Sequence, residues 1–189
     1  VVEAMLPDDL DLAGWDLRKT LGLLLKSNPS LVEWMASPMV YSQDEAFMTE
    51  FRALAADYIS TERSFRHYLH MAQGNWRAYL QDESVPRKKY LYVLRPVYAC
   101  RWLEAGLGSA PMEFDRLRAG VPGSLATEAQ VDELLVEKRA GSELGIGPRL
   151  CEVHSFLESE LNRLAELDFS PGVSPDEEPL NEFFRRWVG

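Results

Sequence analysis

Apolar residues recur at helical spacing in one segment after another, and this pattern constrains the fold more than any other feature of the chain. The first such segment carries four leucines at intervals of one, three and four residues: Leu17, Leu21, Leu24 and Leu25. These intervals are typical of the buried face of a helix. A second helix should begin at Asn28-Pro29, where Asn28 is the expected cap and Pro29 the first helical residue. The sequence therefore predicts an all-α helical bundle, with at most a short strand within residues 1–6.

The predicted helices follow from this spacing and from capping signals at their starts. Their expected ranges are 10–27, 30–36, 42–59, 60–79, 87–107, 111–119, 127–139, 150–167 and 180–188. Ser42 and Thr127 are expected to open their helices as capping boxes. Asp11 is expected either to cap the first helix or to lie in a strand-to-helix turn before it. Pro96 lies inside a long helix, so a kink is expected in the turn before it.

Composition narrows the class of protein. The 189 residues carry 20 Lys and Arg against 30 Asp and Glu, which gives a formal net charge of −10, and 46% are hydrophobic. This is the profile of a folded globular chain of one domain, or of one domain and a fragment. A charge of −10 argues against general duplex-DNA binding, but it leaves room for a small basic pocket in an acidic surface.

Cysteine content and hydropathy bear on the compartment. Two cysteines cannot form a disulfide framework or a cysteine-rich zinc module, so a reducing cytoplasm is expected. No apolar run reaches about 18 residues, and residues 1–20 lack the pattern of a signal peptide. We therefore expect neither a membrane span nor a membrane partner.

The segment from Arg87 to Trp102 reverses the sign of the chain. It carries five positive charges, with no acidic residue between Pro86 and Leu103. On a helix, one face would present Lys88, Tyr92, Arg95 and Ala99, which lie within about 60° of one another. Most other directions are apolar, so the helix is expected to be buried nearly all round.

Buried cations need anionic partners, and the sequence allows two kinds of partner for the cations of this segment. Internal carboxylates would give a purely structural helix. A triphosphate or a nucleic-acid backbone would give a binding site, to which Tyr92 offers a hydroxyl group or a stacking face.

Asp11 is a second candidate. A carboxylate at the end of an extended segment can coordinate a divalent cation. Arg18 and Lys19, about two helical turns further on, could place positive charge along a phosphate chain. The alternative is a helix cap followed by solvated charges.

A third candidate is the pair His67 and His70, which share one helix face. With Cys100 or Cys151 they could in principle bind zinc, although one packed and one exposed histidine is the favoured interpretation. A looser group of polar and turn-forming residues is explained as the residues that end a helix and form a turn. They are Lys138, Gly141, Glu143, Pro148 and Arg149. No Ser, His and Asp residues are arranged in a way that supports a catalytic triad, and the sequence has no P-loop or Gly-x-Gly-x-x-Gly loop. Metal-assisted phosphoryl chemistry remains, because it needs only carboxylates and cations.

Four blocks of the sequence together resemble a known family. They are 11–19 (DLAGWDLRK), 24–34 (LLKSNPSLVEW), 88–96 (KKYLYVLRP) and 138–144 (KRAGSEL). They are similar to the RlaP-type predicted nucleotidyltransferases, a branch of the DNA polymerase β superfamily linked to RNA repair. The similarity extends over about residues 10–164.

The resemblance implies transfer of a nucleoside monophosphate from a nucleoside triphosphate, assisted by two Mg²⁺ ions that three carboxylates hold. In the family, two of the carboxylates form an Asp-x-Asp pattern after a Gly-Ser turn, and the third follows on a later strand. Here Asp9 and Asp11 have the Asp-x-Asp spacing, but no Gly-Ser turn precedes them. We therefore expect Asp11 to be the third carboxylate and catalytic residue, with Asp9 as the nearer alternative metal ligand. The two-carboxylate strand is expected upstream, and the 189-residue chain alone is expected to be inactive.

The resemblance also assigns binding roles and domains. Arg18, Lys19 and Lys26 would lie near the catalytic edge. The helical part would surround the triphosphate through Lys88, Lys89, Tyr92 and Arg95. Residues 1–27 would end a catalytic α/β domain, of which the short strand is a remnant. Residues 28–169 would form a helical domain, and residues 170–189 a loosely held acidic tail with a short helix. RNA is the expected acceptor.

Two rival interpretations remain open. The first is a non-catalytic helical interaction or regulatory module, in which internal carboxylates neutralise Lys88 and Arg95. The second is a catalytically inactive relative that acts as the antitoxin or sensor of a two-protein system. The enzyme interpretation instead requires Lys88 and Arg95 to face a groove beside Asp11.

Overall fold

The computed structural model describes residues 1–7, 10–139, 145–168 and 175–189. Within these ranges the chain is mainly helical, which confirms the predicted fold class. The helices are α1 (Leu17–Leu25), α2 (Pro29–Met35), α3 (Glu45–Ala56), α4 (Thr61–Tyr79), α5 (Lys88–Glu104), α6 (Phe114–Gly120), α7 (Leu125–Arg139), α8 (Cys151–Ala165) and α9 (Glu178–Val188). The strands are β1 (Val2–Met5), β2 (Asp11–Gly14), β3 (Ser84–Pro86) and β4 (Ile146–Pro148). They form two antiparallel pairs, β1 with β2 and β3 with β4.

The chain divides into two compact units. The first comprises Val1–Ser64 with Pro171–Gly189, and the second comprises Phe65–Ser170. Helix α4 begins in the first unit and continues into the second. The predicted division at residues 27/28 and 169/170 separates a catalytic domain, a helical domain and a tail by their expected roles, not by compactness. It stays a prediction.

The first unit begins with a β-hairpin where the sequence predicted the start of a helix. Residues 11–14 pair with β1, with Asp11 opposite Met5, so the predicted helix from residue 10 is wrong. Helix α1 begins at Leu17 because Asp16 caps it, its carboxylate accepting the Lys19 N–H at 2.8 Å. Asp11 is therefore not the cap of this helix.

The core of the first unit is built from α1, α2, α3 and α9. Its buried side chains are Leu21, Leu24, Leu31, Phe51, Ala55, Tyr58, Leu180 and Phe183. Asn28 caps α2 as predicted, its side-chain oxygen accepting the N–H groups of Ser30 and Leu31. Helix α9 packs through Phe183, which confirms that residues 180–188 return to the core.

The second unit is organised around α5. Nine of its residues are buried: Tyr90, Val93, Leu94, Pro96, Val97, Tyr98, Ala99, Cys100 and Leu103. Helices α6 and α8 pack directly against α5, and α7 packs against α8. A helix buried nearly all round is what the apolar pattern of residues 87–102 predicted.

Two predicted helix starts are wrong because a nearby side chain caps instead. Asp44, not Ser42, caps α3 by accepting the Phe47 N–H at 2.9 Å. Helix α7 begins at Leu125, and the Ser124 hydroxyl oxygen accepts the Thr127 N–H at 3.1 Å. Strands β3 and β4 lie between predicted helices, and Arg149 next to β4 donates to the Asp82 carbonyl oxygen near β3 at 2.8 Å.

Candidate functional site

The second unit contains a pocket on the predicted face of α5. Lys88, Tyr92 and Arg95 share this face and line the pocket, as their spacing predicted. The pocket has a volume of about 320 Å³, and α4, α5, α6 and α7 all contribute to it. Its lining residues are Met71, Lys88, Leu91, Tyr92, Arg95, Pro96, Phe114, Leu135 and Lys138. A concave site with an apolar floor and a few charged groups is typical of small-molecule binding.

Three cations surround this pocket. Arg95 is held in place by the backbone, because its guanidinium donates to the carbonyl oxygens of Met112 at 2.9 Å and Pro111 at 3.3 Å. Lys88 and Lys138 are exposed, and neither makes an ion pair within the ranges that the structure describes. The pocket therefore carries positive charge in a chain whose net charge is −10.

Lys138 joins the site through the packing of α7. The sequence placed this residue in a polar cluster around a turn, which helix-ending chemistry explained. No spacing rule links residue 138 to residues 88–95, because the contact requires two helices distant in sequence to pack in one unit. Of the residues grouped with it, Gly141 and Glu143 lie outside the described residues.

Other cations of the same segment are structural. Arg87 pairs with Glu137 at 3.2 Å, and Arg101 pairs with Glu160 at 3.4 Å. Arg101 also donates to the Pro122 carbonyl oxygen at 3.0 Å. The internal-carboxylate alternative therefore describes Arg87 and Arg101. Lys88 and Arg95, from the same segment, line the pocket.

Lys89 is placed differently from its neighbour Lys88. It is half-buried, and its ammonium lies 3.9 Å from the ring centroid of Tyr79 and 4.6 Å from that of Tyr92. Both distances are within the range of cation–π attraction. Lys89 does not line the pocket, whereas Tyr92 does and is 46% exposed.

A charged hydrogen-bond network lies beside α5 in the same unit. The Glu128 carboxylate accepts hydrogen bonds from the Tyr98 hydroxyl and from the Gly123 N–H, and it pairs with Arg118 at 2.8 Å. Burial, reinforced by the hydrogen bond and charge of Glu128, raises the pKa of Tyr98. Arg118 also contacts Asp132 at 2.7 Å. This network fixes α7, which carries Leu135 and Lys138 to the pocket.

No sequence pattern singled out His154, which contacts two aromatic side chains of the second unit. Its Nδ1 lies 3.2 Å from the Tyr90 hydroxyl, and its ring stacks at a tilt on Trp76. The Tyr90 oxygen already accepts the Leu150 N–H, so its own proton is available to a neutral His154. Burial, aided by the charge of Arg149, lowers the pKa of His154. A lone histidine in an acidic helix carries no spacing signal that would have revealed this.

The zinc hypothesis finds no support in the described residues. His67 is half-buried, His70 and Cys151 are exposed, and Cys100 is buried with its Sγ donating to the Phe65 carbonyl oxygen. Within the described ranges, no three His, Cys, Asp or Glu side chains come together as a metal site would require. Burial raises the pKa of the Cys100 thiol, which makes it a packed core residue rather than a thiolate ligand.

The candidate residues before α2 belong to the first unit. Asp11 is exposed on β2, and Asp9 lies outside the described residues. Arg18 lies over the ring of Phe184 at 5.3 Å, and Lys19 lies over the ring of Trp15 at 5.9 Å. Lys26 is exposed at the end of α1. Their proximity to Lys88 and Arg95 stays a prediction.

Comparison with known proteins decides the family. Residues 1–186 match the RlaP family, described as an RNA repair pathway DNA polymerase beta family. The chain belongs to the RlaP family. This confirms the resemblance drawn from the four sequence blocks, and it associates the chain with RNA repair and the polymerase-beta type.

A bacterial relative extends the comparison. The chain is 42% identical over 168 residues to the Uncharacterized protein YcgL of Bacillus subtilis (strain 168). The aligned region covers 88% of this chain and 64% of that relative, so the chain spans less than two thirds of the relative's length. No solved structure matches the chain. Among the helices in the described ranges, none is long and apolar enough to cross a membrane.

Proposed function

We propose that the intact protein is a nucleotidyltransferase that transfers a nucleoside monophosphate from a nucleoside triphosphate to an acceptor, and that the pocket beside α5 binds the triphosphate. The observation that carries the proposal is the convergence of Lys88, Arg95 and Lys138 on one concave, largely apolar site. Membership in a polymerase-beta type family supports the same chemistry.

Electrostatics favour a polyphosphate in this pocket. Two unit charges 4 Å apart attract by about 1 kcal/mol in bulk water and by about 4 kcal/mol near a protein surface. Three cations around one site therefore give a strong local attraction for an anion, although the chain as a whole is acidic. Arg95 presents a planar fork of donors whose orientation the Pro111 and Met112 carbonyls fix, while the two lysines act as mobile point charges.

The triphosphate changes during the reaction in a way that suits these residues. A hydroxyl oxygen of the acceptor forms a bond to the α-phosphorus and loses its proton to solvent, while the bond between the α-phosphorus and the bridging oxygen breaks. Pyrophosphate leaves with the electrons of that bond, so negative charge builds on it. Lys88, Arg95 and Lys138 would neutralise this charge and so stabilise the transition state more than the ground state. Tyr92 would contribute its hydroxyl group or its ring face. Arg18, Lys19 and Lys26 are proposed to act near the reacting end.

The metal requirement is not met by the described residues. Asp11 offers one exposed carboxylate on β2, and no group of three potential ligands is present within the described ranges. One carboxylate cannot hold two divalent ions about 3.5–4 Å apart against their mutual repulsion. We therefore propose Asp11 as one Mg²⁺ ligand whose partners lie outside the described residues, with Asp9 a candidate, and we derive no step from the metal.

RNA is the proposed acceptor, because the family is described by its place in RNA repair. The interaction-module alternative makes a different prediction for the same pocket. It expects no specific affinity for a triphosphate, and it expects the pocket lysines to be dispensable for every nucleotide-dependent property.

Equilibrium binding of labelled nucleoside triphosphates to the intact protein tests the pocket. Lys88→Met and Lys138→Met remove positive charge without breaking an ion pair of the described residues. Each charged hydrogen bond is worth about 1.5–3 kcal/mol, so the double variant should lose roughly 100-fold or more in affinity. Arg116, an exposed cation on α6 that does not line the pocket, provides the matched control Arg116→Met. An unchanged affinity in the double variant would remove the pocket from the proposal.

A further inference from the structure

Tyr92 stands at the border between the pocket and a packed cation. Tyr92 lines the pocket and is 46% exposed, although it belongs to a helix that is otherwise largely buried. The Lys89 ammonium lies 4.6 Å from the centroid of the Tyr92 ring and 3.9 Å from the centroid of the Tyr79 ring. Tyr79 is 40% exposed and lies at the end of α4.

The position of Lys89 does not suit a phosphate ligand. Its ammonium faces two aromatic rings, and the side chain is absent from the lining of the pocket. A cation between two ring faces restricts the orientation of both rings, because moving either ring away loses a favourable interaction. Lys89 therefore acts on Tyr92 rather than on a ligand.

Tyr92 lies next to two kinds of group that bind nucleotides, which are cations for the phosphates and apolar side chains for the base. Lys88 and Arg95 lie on the same helix face, one helical turn before and after Tyr92, and supply positive charge. Met71 and Leu91 line the same pocket and supply apolar surface. An aromatic ring beside cations is the arrangement that binds nucleic-acid bases by stacking while the cations hold phosphate.

We propose that the ring of Tyr92 is a stacking platform for the nucleobase, and that Lys89, together with Tyr79, is the positioning group that holds this ring for it. This inference rests on the proposed triphosphate site, and it adds a second part to that site. Because Lys89 restricts the ring before a ligand arrives, less side-chain freedom is lost when the base stacks. Stacking involves a π-face that every base has, so the platform accepts all four bases.

The test compares ligands that share the phosphates and differ in the base. The intact protein is titrated in EDTA with each of the four ribonucleoside triphosphates and, separately, with inorganic tripolyphosphate. EDTA confines the measurement to groups of the protein itself. Base stacking should make the nucleotides bind roughly 5- to 150-fold more tightly than tripolyphosphate. Equal affinities would overturn the stacking platform and leave the phosphate site standing, whereas binding of neither class would overturn the proposed function itself.

Variants of Tyr92 separate the ring from the hydroxyl group. Tyr92→Phe keeps the ring and should keep the preference for nucleotide over tripolyphosphate. Tyr92→Leu removes the flat ring and should abolish that preference without changing the affinity for tripolyphosphate. A loss of preference in Tyr92→Phe would assign the effect to the hydroxyl group and overturn the proposal.

Variants of Lys89 test positioning. Lys89→Met should reduce the preference for nucleotide by about 2- to 5-fold, the range expected from loss of a surface cation–π interaction. Lys89→Arg keeps a cation over the rings and should restore it. In the Tyr92→Leu background, Lys89→Met should change the preference no further. An equal loss of affinity for nucleotide and tripolyphosphate in Lys89→Met would instead make Lys89 a phosphate-binding charge and overturn its positioning role.

Discussion

Glu128→Gln should destabilise the second unit more than any other single loss of charge on α7. The Glu128 carboxylate accepts the Gly123 N–H at 2.7 Å, accepts the Tyr98 hydroxyl and pairs with Arg118 at 2.8 Å. The side chains of Glu128 and Arg118 are 17% and 14% exposed, so water replaces these contacts poorly. Because a glutamine amide would bring an NH₂ donor group where one carboxylate oxygen accepted, at least one contact must be lost.

The magnitude follows from the number of contacts. A hydrogen bond to a charged group contributes about 1.5–3 kcal/mol. The Gly123 N–H and the Tyr98 hydroxyl both donate to Oε1 of Glu128, so an amide oxygen in that place can still accept both, and the lost contact is the one from Oε2 to Arg118. Arg118 keeps Asp132 at 2.7 Å, so the free energy of unfolding should fall by about 2–3 kcal/mol rather than by the full sum. Urea unfolding followed by far-UV circular dichroism gives this value, and a change in midpoint at constant slope would show an effect on stability.

Glu133→Gln is the matched control for this prediction. Glu133 is exposed on the same helix, and the substitution changes the net charge by the same amount. Its effect should stay within about 0.5 kcal/mol, as for surface substitutions in general. If Glu128→Gln cost no more than this control, the carboxylate would not support the helix that carries Lys138, and the reasoning from the network would be refuted.

Three further predictions concern the rest of the chain. The pKa of His154 is lowered in the folded state, so the unfolded state binds a proton at a higher pH than the folded state does. The free energy of unfolding should therefore fall as the pH drops below about 6.5. Urea unfolding should give a larger difference between pH 7 and pH 5 for the wild type than for His154→Gln. Gly120→Ala would place a Cβ 2.4 Å from Cζ3 of Trp102 and should lower the free energy of unfolding by about 1–3 kcal/mol. Gly74→Ala, with nothing within 4 Å of the new Cβ, should raise it by up to about 1 kcal/mol. A shift of the thermal unfolding midpoint in the same direction for both variants would contradict this prediction. Asn28→Ala removes the cap of α2 and should cost about 0.5–2 kcal/mol in urea unfolding, with no loss arguing against the cap.

Local signals predicted helices well where one segment alone determines them. Asn28 and Pro29 specify the start of α2 through contacts within four residues, and the pattern of residues 87–102 specified a buried helix with Lys88, Tyr92 and Arg95 on one face. Such features depend only on helix geometry and hydrophobicity. They do not depend on what the helix packs against.

Predictions failed where two parts of the chain compete for the same backbone. Residues 11–14 directly precede helical residues in the sequence, but their backbone groups pair with β1 instead. The helix therefore begins only after Asp16. Thr127, the predicted cap, lies inside α7, where its N–H donates to the hydroxyl oxygen of Ser124. Capping signals find the region of a helix start more reliably than the residue.

Part of the candidate site could be predicted from the sequence. The spacing on one helix face predicted three of its residues, Lys88, Tyr92 and Arg95. Lys138 could not be predicted without knowing how α7 packs, and the role of Lys89 could not be predicted without the positions of two rings. Helical spacing separates Lys88, which shares a face with Tyr92 and Arg95, from its neighbour Lys89. It does not show that the Lys89 ammonium lies over the rings of Tyr79 and Tyr92, because Tyr79 belongs to another helix.

Nucleotidyl transfer itself tests the central claim most directly. The intact protein is incubated with Mg²⁺, short RNAs and each α-labelled nucleoside triphosphate, well below saturation, and label on RNA ends is measured. Transfer by the wild type should fall by roughly 100-fold or more in the Lys88→Met/Lys138→Met double variant, and it should persist in Arg116→Met. Equal transfer by the double variant would place the triphosphate elsewhere, and the absence of transfer from all four triphosphates would contradict the enzymatic function.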